Sequence, residues 1–142
     1  MSSTRDIVNN LLQEFATIIG EQNLNLDENN RLELLINRQQ RLSLYCKVEA
    51  NKLLLMLDLG MQPISMEVLL AFNATLQQEY DVFFGIDLAS KHIYLSRDIA
   101  IYDLNIASFQ QHLADLLQQA ELWQQQLQAP NKNLTVSPAK LA

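Results

Sequence analysis

The chain is poor in the residues that build disulfide frameworks and phosphate-binding loops. Its 142 residues include one cysteine, Cys46, and only three glycines and three prolines. A single cysteine excludes an intrachain disulfide framework and is typical of a reducing compartment. The glycines stand at positions 20, 60 and 85, too far apart for a glycine-rich loop around a phosphate. The sequence therefore predicts no phosphate-binding loop.

Basic residues are also scarce. The chain has 10 Lys plus Arg against 16 Asp plus Glu, which gives a net charge of −6 and a pI near 4.7. Such a protein is repelled by phosphate backbones and anionic lipids, so we expect no nucleic-acid partner. No apolar run approaches the roughly 20 residues of a membrane helix, and no basic segment followed by an apolar core opens the chain. We expect no membrane insertion and a cytoplasmic location.

Residues that carry catalytic or metal chemistry are few and badly spaced for it. The two histidines, His92 and His112, have no second ligand at a metal-binding spacing, and no CxxC or HExxH motif occurs. His112 is interpreted as a surface or boundary histidine, and Cys46, on the apolar side of its strand, as a small buried hydrophobe. We expect no metal, no cofactor and no enzymatic activity. A small hydrolase or ligand-binding protein is a further hypothesis, which a bound metabolite in the purified protein would favour.

Hydrophobic periodicity predicts three helices and five strands. The predicted helices span Thr4–Ile19, Ser65–Tyr80 and Leu104–Gln128, and the predicted strands span Arg31–Asn37, Leu42–Glu49, Lys52–Leu59, Val82–Asp87 and His92–Ser96. The order α-β-β-β-α-β-β-α, dominated by hairpins, predicts an α+β domain with a mainly antiparallel twisted sheet flanked by helices. We expect one domain over residues 1–128 and a disordered tail over residues 129–142, which has two prolines and no periodicity.

The element boundaries have specific local signals. Thr4, Ser65 and Asp103 are the expected N-caps of the three helices, and Gly20 is the expected stop of the first. Ala50-Asn51 is the expected two-residue turn between the second and third strands. Residues 97–102 are expected to connect the last strand to the last helix.

The third strand carries more apolar residues than a half-buried strand needs. Leu53, Leu55, Leu57 and Leu59 fill one face, yet Leu54 and Met56 lie on the other. Leu35 of the first strand and Tyr45 of the second are expected on this same face, opposite the core. Adjacent strands lie about 4.8 Å apart, so these four side chains can form one patch. Either a partner binds this patch, or the first or third helix of the same chain covers it.

The second helix is apolar over more than half of its circumference. Besides its wide apolar face, the helix has Val68 and Phe72 on neighbouring positions of its surface. A helix of this kind has two surfaces to bury. One surface is expected to pack on its own sheet, and the second is available to another subunit.

The same order of elements resembles the class I type III secretion chaperones, the Tir-chaperone or CesT-like family. The residues that carry the resemblance, over about residues 4–128, are Leu11-Leu12 and Phe15 leading through Ile19-Gly20, the run Val68-Leu69-Leu70-Ala71-Phe72-Asn73, His92-Ile93-Tyr94-Leu95, and Asp103 opening a helix that ends in Ala120-Glu121-Leu122-Trp123. Each motif is short and apolar, so the order and spacing carry the resemblance. The hairpin Asp87–His92 departs from the family, because it lacks the usual glycine-containing turn.

The resemblance implies a bacterial cytoplasmic homodimer that binds the N-terminal region of one or more secreted effectors. It would keep that region partly unfolded and promote its secretion without using ATP, and the secretion-system ATPase is a further candidate partner. The effector-binding residues are then expected to be Leu35, Tyr45, Leu54 and Met56. The family's dimer contact, carried over to this chain, is expected at Met66, Leu69, Leu70, Asn73 and Leu76. The alternative is a small non-enzymatic adaptor or regulatory module that binds one folded partner.

Overall fold

The structure, a computed structural model, describes residues 3–128, and of residues 77, 79 and 126–128 it describes the backbone alone. Its helices are α1 (Thr4–Ile19), α2 (Met66–Glu79) and α3 (Ile106–Gln128), and its strands are β1 (Arg31–Ile36), β2 (Gln40–Lys47), β3 (Lys52–Met61), β4 (Phe83–Ile86) and β5 (His92–Ala100). The predicted order of elements is confirmed. The tail expected to be disordered, residues 129–142, lies outside the described residues.

One antiparallel sheet organises the fold. Its strand order is β1-β2-β3-β5-β4, and every neighbouring pair is antiparallel. The first three strands form an antiparallel meander. The chain then leaves β3 through α2, enters the sheet at the far edge as β4, and returns as β5 between β4 and β3. The α+β fold class is confirmed, and β1 and β4 are the two edge strands.

Two N-caps and one helix start differ from the predicted ones. Ser3, not Thr4, caps α1, and its Oγ accepts the Asp6 N–H at 3.1 Å. The last helix begins at Ile106 instead of Leu104, because Asp103 ends a short 3-10 turn at residues 101–103. Asn105 and Ser108 then exchange side-chain-to-backbone hydrogen bonds of 2.8 and 2.9 Å, a reciprocal N-cap. Ser65 caps α2 as predicted.

Several strand ends also differ, two of them by more than the fraying of a residue or two, because local patterns do not show long-range pairing. A 3-10 turn at Val48–Ala50 replaces the expected two-residue turn, so Val48 leaves the strand and becomes exposed. The last strand runs to Ala100 rather than Ser96, because Arg97 and Ile99 pair with Leu55 and Leu53 of β3. The expected connection at residues 97–102 is therefore mostly strand.

Within residues 3–128, helices cover one side of the sheet and leave the other uncovered. Leu42, Leu44 and Cys46 of β2 are buried beneath α1 and α3, whereas the alternate residues of β2 and β3 are only partly buried. Phe15 of α1 and Phe109 of α3 meet edge to face at 5.1 Å, which joins the two helices over the core. We call the other side of the sheet the open side. The alternative in which the first or third helix covers this side is wrong.

Candidate functional site

Three of the four residues predicted to bind a partner lie together on the open side. Tyr45 and Leu54 are direct cross-strand partners, and Met56 lies one step along β3, between Ser43 of β2 and Ser96 of β5. All three predicted side chains are partly buried. Side chains of direct cross-strand partners are close enough to touch, so these residues form a continuous apolar band.

Leu35 lies on the same side but apart from that band. Its cross-strand partner is Arg41, and its side chain is 61% exposed. With Arg41, Asp58 and His92 it lines an open cleft of about 490 Å³ at one end of the sheet. The structure therefore places Leu35 at the rim, on the edge strand.

Two aromatic residues extend the apolar band beyond the predicted set. Phe83 of β4 pairs with Ser96, and Tyr94 of β5 pairs with Asp58, so both lie on the open side. Burial and the nearby Asp58 carboxylate raise the pKa of the Tyr94 phenol, which stays neutral. The strict alternation around Tyr94 in its strand is a sequence signal that places this ring on the open side.

Positive charge borders the band at the end opposite the cleft. Lys47 and Lys52 are cross-strand partners, and both approach the Asp98 carboxylate, at 3.1 and 3.7 Å. The Arg31 guanidinium lies 4.4 Å from the centre of the Tyr45 ring. Three cations lie at this corner and two of them approach the one carboxylate, although the whole chain carries a net charge of −6. This corner of the open side favours an acidic neighbour.

The outer edge of β1 has unpaired backbone groups. The Cys46 N–H donates to the Asn30 carbonyl, so Arg31 and Tyr45 form a non-hydrogen-bonded pair. By alternation, the N–H and C=O groups of Glu33 and Leu35 also point away from β2. Those of Arg31 are occupied by Asp27. Within the described residues, no group bonds to the outward groups of Glu33 and Leu35, so this edge can accept another strand.

The opposite edge, at β4, is closed at its centre by Asn73. The side-chain amide of Asn73 donates to the Phe84 carbonyl at 3.0 Å and accepts the Phe84 N–H. These are the groups of Phe84 that point away from β5. Asn73 therefore has a structural role within its own chain, and its expected place in a dimer contact stays a prediction.

The other residues predicted for a dimer contact divide into two groups. Leu69 and Leu76 are buried in their own chain, 4% and 0% exposed, so they offer no surface to a second copy. For these two the prediction is corrected, because the face of α2 that is most apolar packs against β4 and α3. Met66 and Leu70 are 48% and 64% exposed and remain available.

The remaining chemically distinctive side chains have structural partners. His92 Nδ1 lies 3.0 Å from both oxygens of the Asp58 carboxylate. Cys46 is buried as expected, and burial raises the pKa of its thiol although Arg5 opposes the shift.

In the described part of the chain, no group of three or more His, Cys, Asp or Glu side chains could hold a metal ion. Among the same residues, none of the helices combines the length and apolar character needed to cross a membrane.

The sequence is similar to a known protein family and to one of its relatives with a known role. The sequence profile of the Tir chaperone protein (CesT) family matches residues 10–124. The transcriptional anti-antiactivator ExsC of Pseudomonas aeruginosa is 35% identical over 124 residues, which cover 84% of this chain and 85% of ExsC.

Solved structures share the fold over most of the chain. A chain of the crystal structure of the ExsC–ExsE complex has a TM-score of 0.82 and 32% identity, over 90% of this chain and 98% of that one. The HopA1–SchA chaperone–effector complex has a TM-score of 0.75 at 22% identity, covering 84% and 94% of the two chains. The Yersinia pestis type III secretion chaperone SycH, solved with a stable fragment of YscM2, has a TM-score of 0.62 at 17% identity, covering 80% and 97%. The expected resemblance is confirmed, and the chain belongs to the Tir chaperone protein (CesT) family of type III secretion chaperones.

Proposed function

We propose that this chain is a non-enzymatic cytoplasmic chaperone of a bacterial type III secretion system. It binds an extended segment near the N-terminus of a secreted protein and keeps that segment unfolded until export. The observation that carries the proposal is the open edge of β1, where the outward backbone groups of Glu33 and Leu35 have no partner among the described residues. Family membership supports the same role.

Strand addition at β1 supplies the sequence-independent part of this binding. Glu33 and Leu35 each offer one N–H and one C=O, so an added strand gains up to four backbone hydrogen bonds. At about 0.5–1.5 kcal/mol net for each, these amount to roughly 2–6 kcal/mol before the cost of ordering the segment. An unfolded segment can present these groups, whereas a folded domain has already paired them.

The apolar band supplies selectivity for side chains. Tyr45, Leu54 and Met56 present partly exposed apolar surface on the side of the sheet that no described helix covers. A methionine adapts its shape to different neighbours, which suits a surface that binds more than one sequence. The basic corner at Lys47 and Lys52 favours acidic residues in the bound segment.

A second copy of the chain binds at the exposed flank of α2. Met66 and Leu70 lie four residues apart, so they share one stripe of the helix. Both side chains are about half exposed or more in the isolated chain. Burial of this stripe against a second copy removes apolar surface from water, and a homodimer is therefore the proposed state. The secretion-system ATPase remains a further proposed partner, and the chaperone itself uses no cofactor.

Substitution of Leu35 tests strand addition directly. Proline at an outward position of an edge strand removes an N–H without breaking a ladder bond. Leu35→Pro is therefore expected to retain the fold and to weaken binding of an unfolded N-terminal fragment of a secreted protein at least tenfold. Leu35→Thr, the matched control, shortens the side chain but keeps the N–H and is expected to bind more tightly than Leu35→Pro.

Isothermal titration calorimetry of both Leu35 variants measures the difference, and circular dichroism checks the fold. Equal affinity of the proline variant and the wild-type chain would exclude strand addition at this edge. Weakening by the same factor in both variants would assign the effect to the leucine side chain alone.

A regulatory role is the second candidate function. The observation that favours it is the similarity to ExsC, whose name describes an anti-antiactivator of transcription. In this role the chain would act as an adaptor for a folded regulatory protein. Pull-down of an unfolded fragment and of a folded domain from the same candidate partner separates the two functions. A chaperone captures the fragment, and an adaptor requires the folded domain.

A further inference from the structure

Besides the burial of Leu69 and Leu76, the side chains of Asn73, Phe72 and Arg97 attach helix α2 to the rest of the chain. Asn73 bonds to the backbone of Phe84 in the edge strand, and Phe72 packs on Trp123 of α3 with ring centres 4.6 Å apart. The third attachment is at the C-terminal end of the helix and is made by Arg97 of β5. Because α2 lies at the sheet edge, these attachments decide where its exposed flank stands.

Arg97 bonds to the carbonyls at the end of α2. Its Nη2 donates to the Tyr80 carbonyl at 2.7 Å, and its Nε approaches the Asp81 carbonyl at 3.4 Å. Tyr80 is the C-cap residue, so these carbonyls lie where the helix leaves acceptors unpaired. A cation at a helix C-terminus also stabilises the helix dipole. Of the side chains that the structure describes, Arg97 is the one charged group that is buried, 9% exposed.

Two side chains of α3 complete this cluster. Arg97 Nη1 lies 3.4 Å from His112 Nδ1 and 3.4 Å from an Asp115 carboxylate oxygen. The other Asp115 oxygen accepts from the Gln111 amide at 2.9 Å. An arginine has only donors, so His112 Nδ1 can bond to Arg97 only when it is unprotonated.

We propose that Arg97, His112 and Asp115 form a pH-sensitive latch that holds the C-terminal end of α2 against β5 and α3. With His112 neutral, its Nδ1 accepts from Arg97 and the guanidinium stays on the Tyr80 carbonyl. A proton on Nδ1 turns this acceptor into a donor and sets a second positive charge beside the first. The guanidinium then loses a partner and is repelled, and the end of α2 loosens.

Charges from every neighbouring element act on His112. Burial and Arg97 of β5 lower the pKa of His112 below its ordinary value near 6.5, whereas Asp115 of α3, Asp81 beyond α2 and Asp103 before α3 oppose the shift. The net shift of the His112 pKa is downward, because burial is the largest of these effects. His112 is therefore neutral at pH 7, and the latch is closed there. It opens as the pH falls below 6.5.

The consequence for assembly rests on the proposed dimer contact at Met66 and Leu70. If the end of α2 loosens, this flank loses its fixed position and dimer affinity falls in acid. The latch itself is a property of one chain, so it can be measured without a dimer or a bound partner.

Trp123, the one tryptophan in the sequence, reports the position of α2 through its contact with Phe72. The experiment follows its emission from pH 8 to pH 5, where carboxyl groups of ordinary pKa stay largely ionised. His112 lies 11 residues before Trp123 in the same helix, about 16 Å away along its axis, so it cannot quench the indole by contact. The wild-type chain, His112→Asn and His92→Asn are compared at a low and a high concentration.

Asparagine can place an oxygen acceptor near the position of Nδ1 and does not protonate in this range. We expect a red shift in the wild-type chain that begins below pH 6.5, persists in His92→Asn, and is absent in His112→Asn. The shift should be present at the low concentration, where the chain is monomeric, which separates the latch from dimer dissociation. A wild-type emission that stays constant to pH 5, or a shift of equal size in His112→Asn, overturns the proposal.

Hydrogen exchange of the wild-type chain decides the question if His112→Asn does not fold. After correction for the intrinsic effect of pH, the amides of the last turn of α2 should lose protection at the lower pH. Those of β3, in the centre of the sheet, should keep it. Unchanged protection in α2, or equal loss in both elements, overturns the latch.

Discussion

Leu69 and Leu70 are neighbours in α2 with opposite surroundings, and alanine at each position separates folding from assembly. Leu69 is 4% exposed and belongs to the core, whereas Leu70 is 64% exposed. The two substitutions remove the same atoms from the same helix. Any difference between them therefore measures the environment of the side chain.

The expected magnitudes follow from burial. Truncation of a buried leucine to alanine costs about 2–5 kcal/mol, the lower part of the range applying where the site can collapse. Leu69 lies on the buried face of α2, at the edge of the sheet, where neighbouring side chains can partly fill the space. We therefore expect Leu69→Ala to lower the free energy of unfolding by about 2–3 kcal/mol. For a domain of this size that lowers the melting temperature by roughly 6–12 °C. Leu70→Ala should change the stability of the protomer by about 0.5 kcal/mol or less.

Urea denaturation at several protein concentrations, with light scattering in size exclusion, measures both effects. The Leu69→Ala midpoint should fall at every concentration. Leu70→Ala should leave the midpoint of the dilute protein unchanged and shift the mass toward the 16.3 kDa monomer. Equal loss of protomer stability in the two variants would refute the assignment of Leu69 to the core and Leu70 to the surface. A monomeric wild-type chain would remove the dimer proposal.

The remaining predictions concern the open side, the closed edge and the response to acid. Leu54→Asp with Met56→Asp should leave the circular dichroism spectrum unchanged and abolish partner binding in calorimetry, whereas unfolding would assign these side chains to the core. Asn73→Ala should lower the free energy of unfolding in urea by about 1–3 kcal/mol, because it leaves the Phe84 N–H and C=O without partners; an unchanged midpoint would mean that water replaces the amide. Because the pKa of His112 is lower in the folded chain, the unfolded chain binds more protons below pH 6.5, so the free energy of unfolding should fall there and the fall should be smaller in His112→Asn.

Local signals predicted much of the fold because helix and strand periodicity are carried by residues close in sequence. The bounds of α1 at Thr4–Ile19 and the assignment of Leu54 and Met56 to the second face of β3 needed no knowledge of neighbours. The length of β5 could not be predicted in this way. Arg97 interrupts the apolar pattern, and the strand continues only because β3 pairs with it.

The partner surfaces were predicted less completely, because burial depends on which elements meet. Leu69 and Leu76 look alike in sequence to Leu70, yet the packing of α2 against β4 and α3 buries the first two alone. In the sequence, Asn73 is only a polar residue on an apolar helix. Its hydrogen bonds to Phe84 become visible when β4 lies beside α2. Phe83 joined the open side only once β4 was paired with β5.

The sequence by itself determined the order of the elements, the alternation of faces along most of the strands, and the likeness to the secretion chaperones. These are consequences of spacing along the chain. Only the tertiary structure decided which strands are edges, that Asn73 closes one edge while Glu33 and Leu35 leave the other open, and that Arg97 bonds to the end of α2. The physical reason is that an edge or a buried cation is defined by partners far away in sequence, and no local pattern specifies those partners.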